Sequence, residues 1–541
     1  MREERENRQR RYQLYWMMMT ITVFLVAGRI CSVQSREGDT AFLSANDRSR
    51  WCTVASLVED GTYVIDRQIS LTTKKRKRPW YTIDMVRHRG ADGQQHYYSS
   101  KPPLFPTMVA GVYKLVNAVT RMKITEQPIY VPRMILLFVN LPLLLLFLWS
   151  TISAVELYTT GEWSRRFTAA ATCFGTMLTP FAITLNNHLP AAAATAFVVY
   201  CYLYIAQELE KTDTDDITRI RGWLWLAAGI AAGFTAANEL PALSMLCLWG
   251  VLFWLLDFKG AMIFAVGVLI VGAAFFITNM MAHDSLRPPY AHRGNGDLIA
   301  TVDVDTSMDD IGDVPAVDSI MKTLVDSGAF TADRSLQAPV PSGEANRWVV
   351  RADDDGTQFA LIQDEANATW TIRHWDDWYD YPTSYWNDGK RKGVDLGEPS
   401  RLVYLANMTF GHYGIFSLTP LWLLVPYGVF LRWNRGPRDV RFLVWALTLA
   451  SSVCFVFYLM RPEIDRNYGG VSSCFRWMLW FGPLWILLLS PAVERLSVSV
   501  RSRAVLLAML GLSVFSMAIS LSSPWQAPWI YRFWSFLGWI G

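Results

Sequence analysis

The chain has 541 residues, of which 52% are hydrophobic and 18% charged; 24 are Trp, and the formal net charge is +3. Long apolar runs carry much of that hydrophobic content, and about 20 such residues cross a hydrocarbon core roughly 30 Å thick, so the composition defines an integral membrane protein. So small a charge excess gives no reason to invoke nucleic acid.

Arg2, Arg5, Arg8, Arg10 and Arg11 precede the apolar run Met17–Ala27. This layout imitates a secretory signal, but no small-residue cleavage site follows and many further spans do. Residues 1–14 therefore read as a cytoplasmic tail and 15–34 as an uncleaved first span.

Residues 35–131 form the first outer loop, which contains Asn46-Asp47-Arg48-Ser49-Arg50-Trp51 and Tyr97-Tyr98-Ser99-Ser100-Lys101-Pro102-Pro103. Asp47, with Arg48 and Arg50 beside it to keep it ionised, has the chemistry of a general base. It also stands where an Asp or Asn caps a helix, here an amphipathic surface helix over 53–58. Pro102-Pro103 hold Ser100 and Lys101 extended, so the Lys101 ammonium reads either as a phosphate-binding point charge or as a snorkelling side chain, with Tyr97 and Tyr98 anchoring the interface. Lys74-Lys75-Arg76-Lys77-Arg78 follows a span and reads as a solvated or lipid-headgroup patch rather than a nucleic-acid motif. Leu104–Val119 is apolar but interrupted by Pro106 and Lys114, which predicts a helix lying along the outer surface or dipping partway in.

Ten further spans are expected near 132–152, 167–186, 189–206, 223–238, 241–256, 260–280, 412–431, 440–460, 475–491 and 504–522. With the tail inside, this count of about 11 puts the arginines of 163–166, 219–221, 432–441 and 495–503 inside, as the positive-inside bias requires. Spans 2–7 occupy 132–280 and spans 8–11 occupy 403–522. Gly229-Ile230-Ala231-Ala232-Gly233 reads as close helix packing. Cys173, Cys201, Cys247 and Cys454 fall in apolar runs and read as core residues, whereas Cys31 and Cys52 lie where they could meet outside.

The outer turns carry polar groups. His188, in Asn186-Asn187-His188-Leu189-Pro190, reads as a donor to a phosphate or acceptor, or as satisfied turn polarity. Glu239, in Asn238-Glu239-Leu240-Pro241, is costly so near hydrocarbon unless paired or wet. Tyr468-Gly469-Gly470 leads to Arg476 at the start of a span, where glycines admit close backbone approach and the helix start attracts anions. The 281–402 segment, with Trp370–Tyr385, predicts a small mixed α/β extracytoplasmic domain. Its Asp303, Asp305, Asp309 and Asp310 do not form an EF-hand, because Met308 replaces the turn glycine and no Glu closes the loop. His283, His292 and His374 lack zinc-ligand spacing. Residues 523–541 read as an outer, Trp-rich interfacial tail.

Together, Asp47, Arg50 and Trp51, then Ser99-Ser100-Lys101-Pro102-Pro103-Leu104, His188, and Tyr468-Gly469-Gly470 through Arg476 resemble the GT-C membrane glycosyltransferases, within them the polyprenyl-phosphate-dependent aminoarabinose transferases and protein mannosyltransferases. The resemblance implies a polytopic α-helical, GT-C-like fold with outer juxtamembrane helices in a bacterial inner membrane, its active site facing the periplasm. It implies Asp47 as catalytic base, Lys101, Arg50, Arg476 and Tyr98 as ligands of the donor phosphate, and Arg48, His188, Glu239 and Tyr468 as further donor or acceptor contacts. The reaction implied is inverting transfer of a sugar from a polyprenyl phosphate to a lipid, protein or glycan. Arg48 stands where the family has a second acidic residue, which leaves the use of a divalent metal open. A transporter and a noncatalytic assembly or sensor protein are the competing readings; little midplane charge and no paired broken helices speak against transport.

Overall fold

The computed structural model describes residues 2–72, 78–211, 222–302, 314–354, 356–364 and 369–540; the basic residues 74–77, Arg219, Arg221 and the acidic residues of 303–310 lie outside them. From the N-terminus, α1 (Arg2–Ser32) precedes α2 (Ala45–Glu59), α3 (Asp66–Ser70), the hairpin strands β1 (Met85–Arg89) and β2 (Gln95–Ser99), and α4 (Leu104–Thr120). Then come α5 (Tyr130–Tyr158), α6 (Glu162–Phe174), α7 (Leu178–Phe181), α8 (His188–Lys211), α9 (Gly222–Asn238), α10 (Leu243–Leu256) and α11 (Phe258–His283). The next segment holds β3 (Asn295–Val302), α12 (Val317–Asp326), β4 (Val340–Pro341), β5 (Arg347–Arg351), β6 (Gln358–Asp364) and β7 (Thr369–Trp375). The chain closes with α13 (Arg401–Thr409), α14 (Ile415–Leu418), α15 (Leu424–Arg432), α16 (Arg438–Leu459), α17 (Gly482–Leu496), α18 (Val500–Ser520) and α19 (Trp529–Phe536).

Among the described residues, seven helical segments are long and apolar enough to cross a membrane, in α1, α5, α8, α11, α16, α18 and Arg476–Leu496. Other segments read as spans are shorter or broken. The stretch 167–186 divides where α6 ends at Gly175, and 412–431 becomes α14, a 3-10 turn Pro420–Leu423 and α15. The last of these stretches, 475–491, opens as a 3-10 turn Arg476–Phe481 before α17. Proline supplies part of the cause, since Pro420 and Pro483 at these starts have no backbone N–H for a preceding helical turn. The stretches read as single spans are therefore interrupted helices.

The helix ends sort into two groups. At one end Arg11 of α1 pairs with Glu156 of α5 at 2.8 Å, Gly161 N donates to Glu494 of α17 at 2.7 Å, and Tyr202 of α8 donates to the Asp439 carbonyl at 3.2 Å. Helix α1 begins at Arg2 rather than near 15, and the buried Arg11 also pairs with Glu162, which ties the expected tail to α5 and α6. At the other end Arg133 of α5 donates to the Val33 carbonyl at 2.6 Å, and Asn187 Nδ2 donates to the Asn238 carbonyl at 3.1 Å. Arg165, Arg166, Arg432, Arg438, Arg441, Arg495, Arg501 and Arg503 belong to the first group, hereafter the basic end.

At the opposite end α2 and α4 pack together, with Tyr113 donating to Glu59 at 2.8 Å. The five strands of the 281–402 segment form an antiparallel sheet in the order β3-β7-β6-β5-β4, and Ile320 and Leu324 of α12 pack with Val350, Phe359, Leu361 and Ile372 in its core. Cys31 and Cys52 are both free, and Cys247 is exposed on the helix surface, so the reading of Cys247 as a core residue is corrected.

Helices α9 and α11 cross closely at glycines. A Cβ at Gly229 would stand 1.9 Å from the Phe264 carbonyl oxygen, and one at Gly267 would stand 2.4 Å from that of Leu226. Backbone cannot yield as a side-chain tip can, so Gly229→Val should cost about 1–3 kcal/mol, the usual range for overpacking. A fall in the thermal midpoint of the detergent-solubilised protein, several times larger than for Gly250→Val in open space, would report it.

Candidate active site

A cavity of about 410 Å³ opens at the end away from the basic one. Its wall is built from the start of α2 (Ser44 to Asn46), from Asp84, Ser100 and Lys101 at the base of the hairpin, and from Gly469, Gly470, Arg476 and Trp477. Arg293, Tyr379, Trp386 and Asp395 come from the segment that carries the sheet, and Trp525 comes from the C-terminal tail. The cavity thus lies between the helices and the 281–402 segment, and Trp386 locks the two by donating its indole N–H to the Ile83 carbonyl at 2.9 Å.

Strand register brings Asp84 and Lys101 together. Met85 pairs with Ser99, so the residues just outside the ladder meet, and the Ser100 N–H donates to the Asp84 carbonyl at 3.2 Å. Ser49 of α2 fastens this base by donating to the same carbonyl at 2.5 Å, its oxygen lying 2.6 Å from Ser99 Oγ. The Lys101 ammonium then sits 3.1 Å from the Asp84 carboxylate, both largely buried. Burial lowers the Lys101 pKa, partly offset by Asp84, while Arg50 and Arg476 lower it further by repulsion.

Arg476 is placed by two contacts. Its Nε donates to the Gly469 carbonyl at 2.6 Å and its Nη1 to His188 Nε2 at 2.8 Å, with Trp525 under the guanidinium at 5.2 Å. Gly469 has φ +90°, and a Cβ there would come within 2.9 Å of Arg476 Nε, so both conformation and space require glycine. His188 in turn meets Glu239 through Nδ1 at 2.5 Å, and Asn187 Nδ2 donates to the same Glu239 oxygen at 2.7 Å. Asn187 Oδ1 accepts from Arg50 Nη2 at 2.7 Å. Arg50 also donates to Asn46, whose side of α2 lines the cavity, but Arg50 itself is buried one layer behind the wall.

The sequence-derived candidates do not all converge. Lys101 and Arg476 face the cavity, and Arg50, His188 and Glu239 form the buried layer behind it. Asp47 is fully buried, accepting from the Leu43 N–H at 3.0 Å and the Leu185 N–H at 3.3 Å while its own N–H donates to the N-cap Ser44. That is the bracing role its place in the first turn of α2 allows. Three carboxylates line the cavity, Asp84, Asp395 and Asp465, and the one paired with Lys101 is Asp84, which the sequence did not single out; only its position just before a short alternating strand could have marked it. Tyr98 points the other way along β2, stacked on His88 at 4.0 Å beside a second cavity of about 510 Å³. Arg48 donates to the Tyr81 carbonyl at 2.6 Å, and Tyr468 stacks on Tyr413 at 4.5 Å, so neither lines the site. Trp525 and Trp386 were also unforeseen, since single aromatics in a Trp-rich chain give no local signal.

Next to Trp477, an apolar groove of about 450 Å³ runs between helices, lined by Ile415, Trp422, Val425, Phe455, Met478 and Trp485. Among the described residues, no group of three or more His, Cys, Asp or Glu is placed to hold a metal ion. The cavity carboxylates are otherwise engaged, Asp84 with Lys101, Asp395 with Tyr385 and Asn467, and Asp465 with Arg293 and Arg461.

No family model matches the chain, and no curated protein matches it. Among solved structures it is similar to the oligosaccharyltransferase of Archaeoglobus fulgidus in the apo form, with 11% identity, a TM-score of 0.48, and coverage of 97% of this chain and 57% of that one. It is also similar to the S. cerevisiae protein O-mannosyltransferase Pmt1-Pmt2 complex bound to the sugar donor, with 11% identity, a TM-score of 0.43, and coverage of 97% and 92%. Both are glycosyltransferases of the GT-C superfamily. The chain spans little more than half the length of the archaeal protein.

Burial pushes the Asp47 pKa up to about 7, against the pull of the Leu43 and Leu185 amides and of Arg50 and Arg48. The folded protein therefore keeps this proton at pH values where the unfolded chain, with an ordinary value of 3.8, has lost it. Stability should fall as pH rises from about 4 to about 7 and level off above. In Asp47→Asn the fall in thermal midpoint between pH 5 and pH 8 should be smaller than in the parent; an unchanged slope would contradict the assignment.

Proposed function

We propose that this chain is a membrane glycosyltransferase that moves a sugar from a polyprenyl-phosphate donor to a hydroxyl or amine of a lipid, protein or glycan, with inversion at the anomeric carbon. The observation that carries this reading is the cavity itself: Lys101, Arg476 and the N-terminal turn of α2 converge on one space, with the Asp84 carboxylate inside it. Two cations and a helix start suit a phosphate, the charge-bearing leaving group of such a donor. Beside them the apolar groove suits its hydrocarbon chain, which would lie between α15, α16 and α17 with its headgroup turned towards Arg476.

In this reading Asp84 removes the acceptor proton as the acceptor atom bonds to the anomeric carbon. The bond from that carbon to the phosphate oxygen breaks, its electron pair leaves with the phosphate, and Lys101 and Arg476 stabilise the charge that develops there. Asp84 takes the role that the resemblance gave to Asp47, because Asp47 lacks access to the cavity. Eleven crossings, the cavity outside and the basic end in the cytoplasm make one consistent topology, with the arginine-rich ends on the side the positive-inside bias favours. In a bacterium that is the inner membrane, with the site in the periplasm.

Asp84→Asn should abolish sugar transfer in purified protein supplied with a panel of polyprenyl-linked sugars and membrane extract, and Lys101→Ala should weaken donor binding far more than acceptor binding. Asp47→Asn should retain turnover in proportion to the protein that stays folded. Loss of turnover in a stably folded Asp47→Asn, with Asp84→Asn active, would return the base to Asp47. Cysteines placed at the exposed Gln94 and Asn295 should be labelled from the exterior and one at the exposed Ser499 only from the cytoplasm; the opposite pattern would invert the topology.

A further inference from the structure

Glu239 is buried at the cavity end of α9, beside hydrocarbon, and is not among the residues that line the cavity. An unpaired carboxylate there would be expensive. One of its oxygens, Oε1, takes two hydrogen bonds, from Asn187 Nδ2 at 2.7 Å and from His188 Nδ1 at 2.5 Å. Each donor residue holds an arginine with its other atom, Asn187 Oδ1 holding Arg50 at 2.7 Å and His188 Nε2 holding Arg476 at 2.8 Å.

The directions of these bonds are fixed. A guanidinium only donates, so His188 Nε2 is the lone-pair atom, and its proton sits on Nδ1 and goes to Glu239. By the same logic the Asn187 oxygen faces Arg50 and its amide faces Glu239. Both intermediaries are neutral. A carboxylate touching Arg476 would occupy donors that a phosphate needs; set one residue back, it supplies compensating charge without using them, while Arg50, behind the wall, acts through its charge and its hold on Asn46. Arg476 spends Nε on Gly469 and Nη1 on His188, which leaves Nη2 for the cavity it lines.

We infer that Glu239 is a positioning residue that orients two arginines through two separate arms, Arg476 through His188 and Arg50 through Asn187. None of the three touches the substrate. This inference rests on the phosphate-binding reading above and replaces direct contact by His188 and Glu239 with action through the arginines.

The test is equilibrium binding of radiolabelled polyprenyl phosphate, with the neutral polyprenol as control, to the full chain in nanodiscs. His188→Gln should weaken phosphate binding about tenfold, the scale of one charge-assisted hydrogen bond, leave polyprenol binding unchanged, and have no further effect in an Arg476→Ala background. Asn187→Ala should show the reverse pairing, its effect disappearing in Arg50→Ala and persisting in Arg476→Ala. Effects that add fully on both backgrounds, or that weaken the alcohol equally, would overturn the two-arm relay and leave a general packing role. If His188→Gln does not fold, Glu239→Gln replaces it: its amide oxygen still accepts both bonds, so geometry is retained while the charge is lost. That variant should weaken phosphate binding, and less so on either arginine-to-alanine background; an unchanged or fully additive loss would overturn the relay. Parent protein that binds no polyprenyl phosphate would instead sink the functional reading on which the relay rests.

Discussion

The site depends on keeping several positive charges close together at the edge of a hydrocarbon layer without neutralising them. Lys101, Arg476 and Arg50 repel one another, and burial raises the cost of each. Such a cluster holds only if compensating charge is near, and the molecule supplies it at two distances. Asp84 makes direct contact with Lys101 inside the cavity, whereas Glu239 stands behind a neutral amide and a neutral imidazole. The difference matters chemically: a carboxylate in the cavity is available to an incoming group, and one behind the wall acts only as a field and an anchor. Charge of one sign arranged in advance, in a space of low dielectric, suits the proposed transfer with its phosphate leaving group.

Much of this arrangement was legible in the sequence. Apolar runs place the long helices, and the spacing of arginine clusters sorts their ends, because both signals are local and repeat along the chain. Lys101 and Arg476 were legible for the same reason: a lysine fixed before two prolines and an arginine at the opening of a span after paired glycines each have a local geometry. Asp84 was hidden, since nothing next to it in sequence says that β1 and β2 will close so as to set it against Lys101. Asp47 shows the converse. Its neighbours Arg48 and Arg50 make it look like an activated carboxylate, and only the long-range contact with Leu185 reveals that its oxygens are spent on backbone amides.

The breaks in the helical stretches also escaped a reading by hydropathy. A window average cannot register that Gly175, Pro420 and Arg476–Phe481 interrupt runs that stay apolar throughout. Of these breaks, the turn Arg476–Phe481 carries both a cavity cation and Met478 of the apolar groove. A regular helix would distribute those residues around its axis at 100° intervals; the tighter turn changes that spacing. The segment between α11 and α13, which carried no recognisable motif, supplies Arg293, Tyr379, Trp386 and Asp395 to the same space, so it belongs to the site as much as the helices do.

Trp525 under Arg476 has a consequence for how the chain is made. The cavity wall draws on residue 43 and on residue 525, so during synthesis the first helices enter the bilayer long before the aromatic floor beneath Arg476 exists. Contacts of such separation in sequence form late. A nascent chain halted before residue 525 would carry Arg476 without the ring beneath its guanidinium, a state open to quality-control proteases, and the cavity wall would be complete only once that segment has been made.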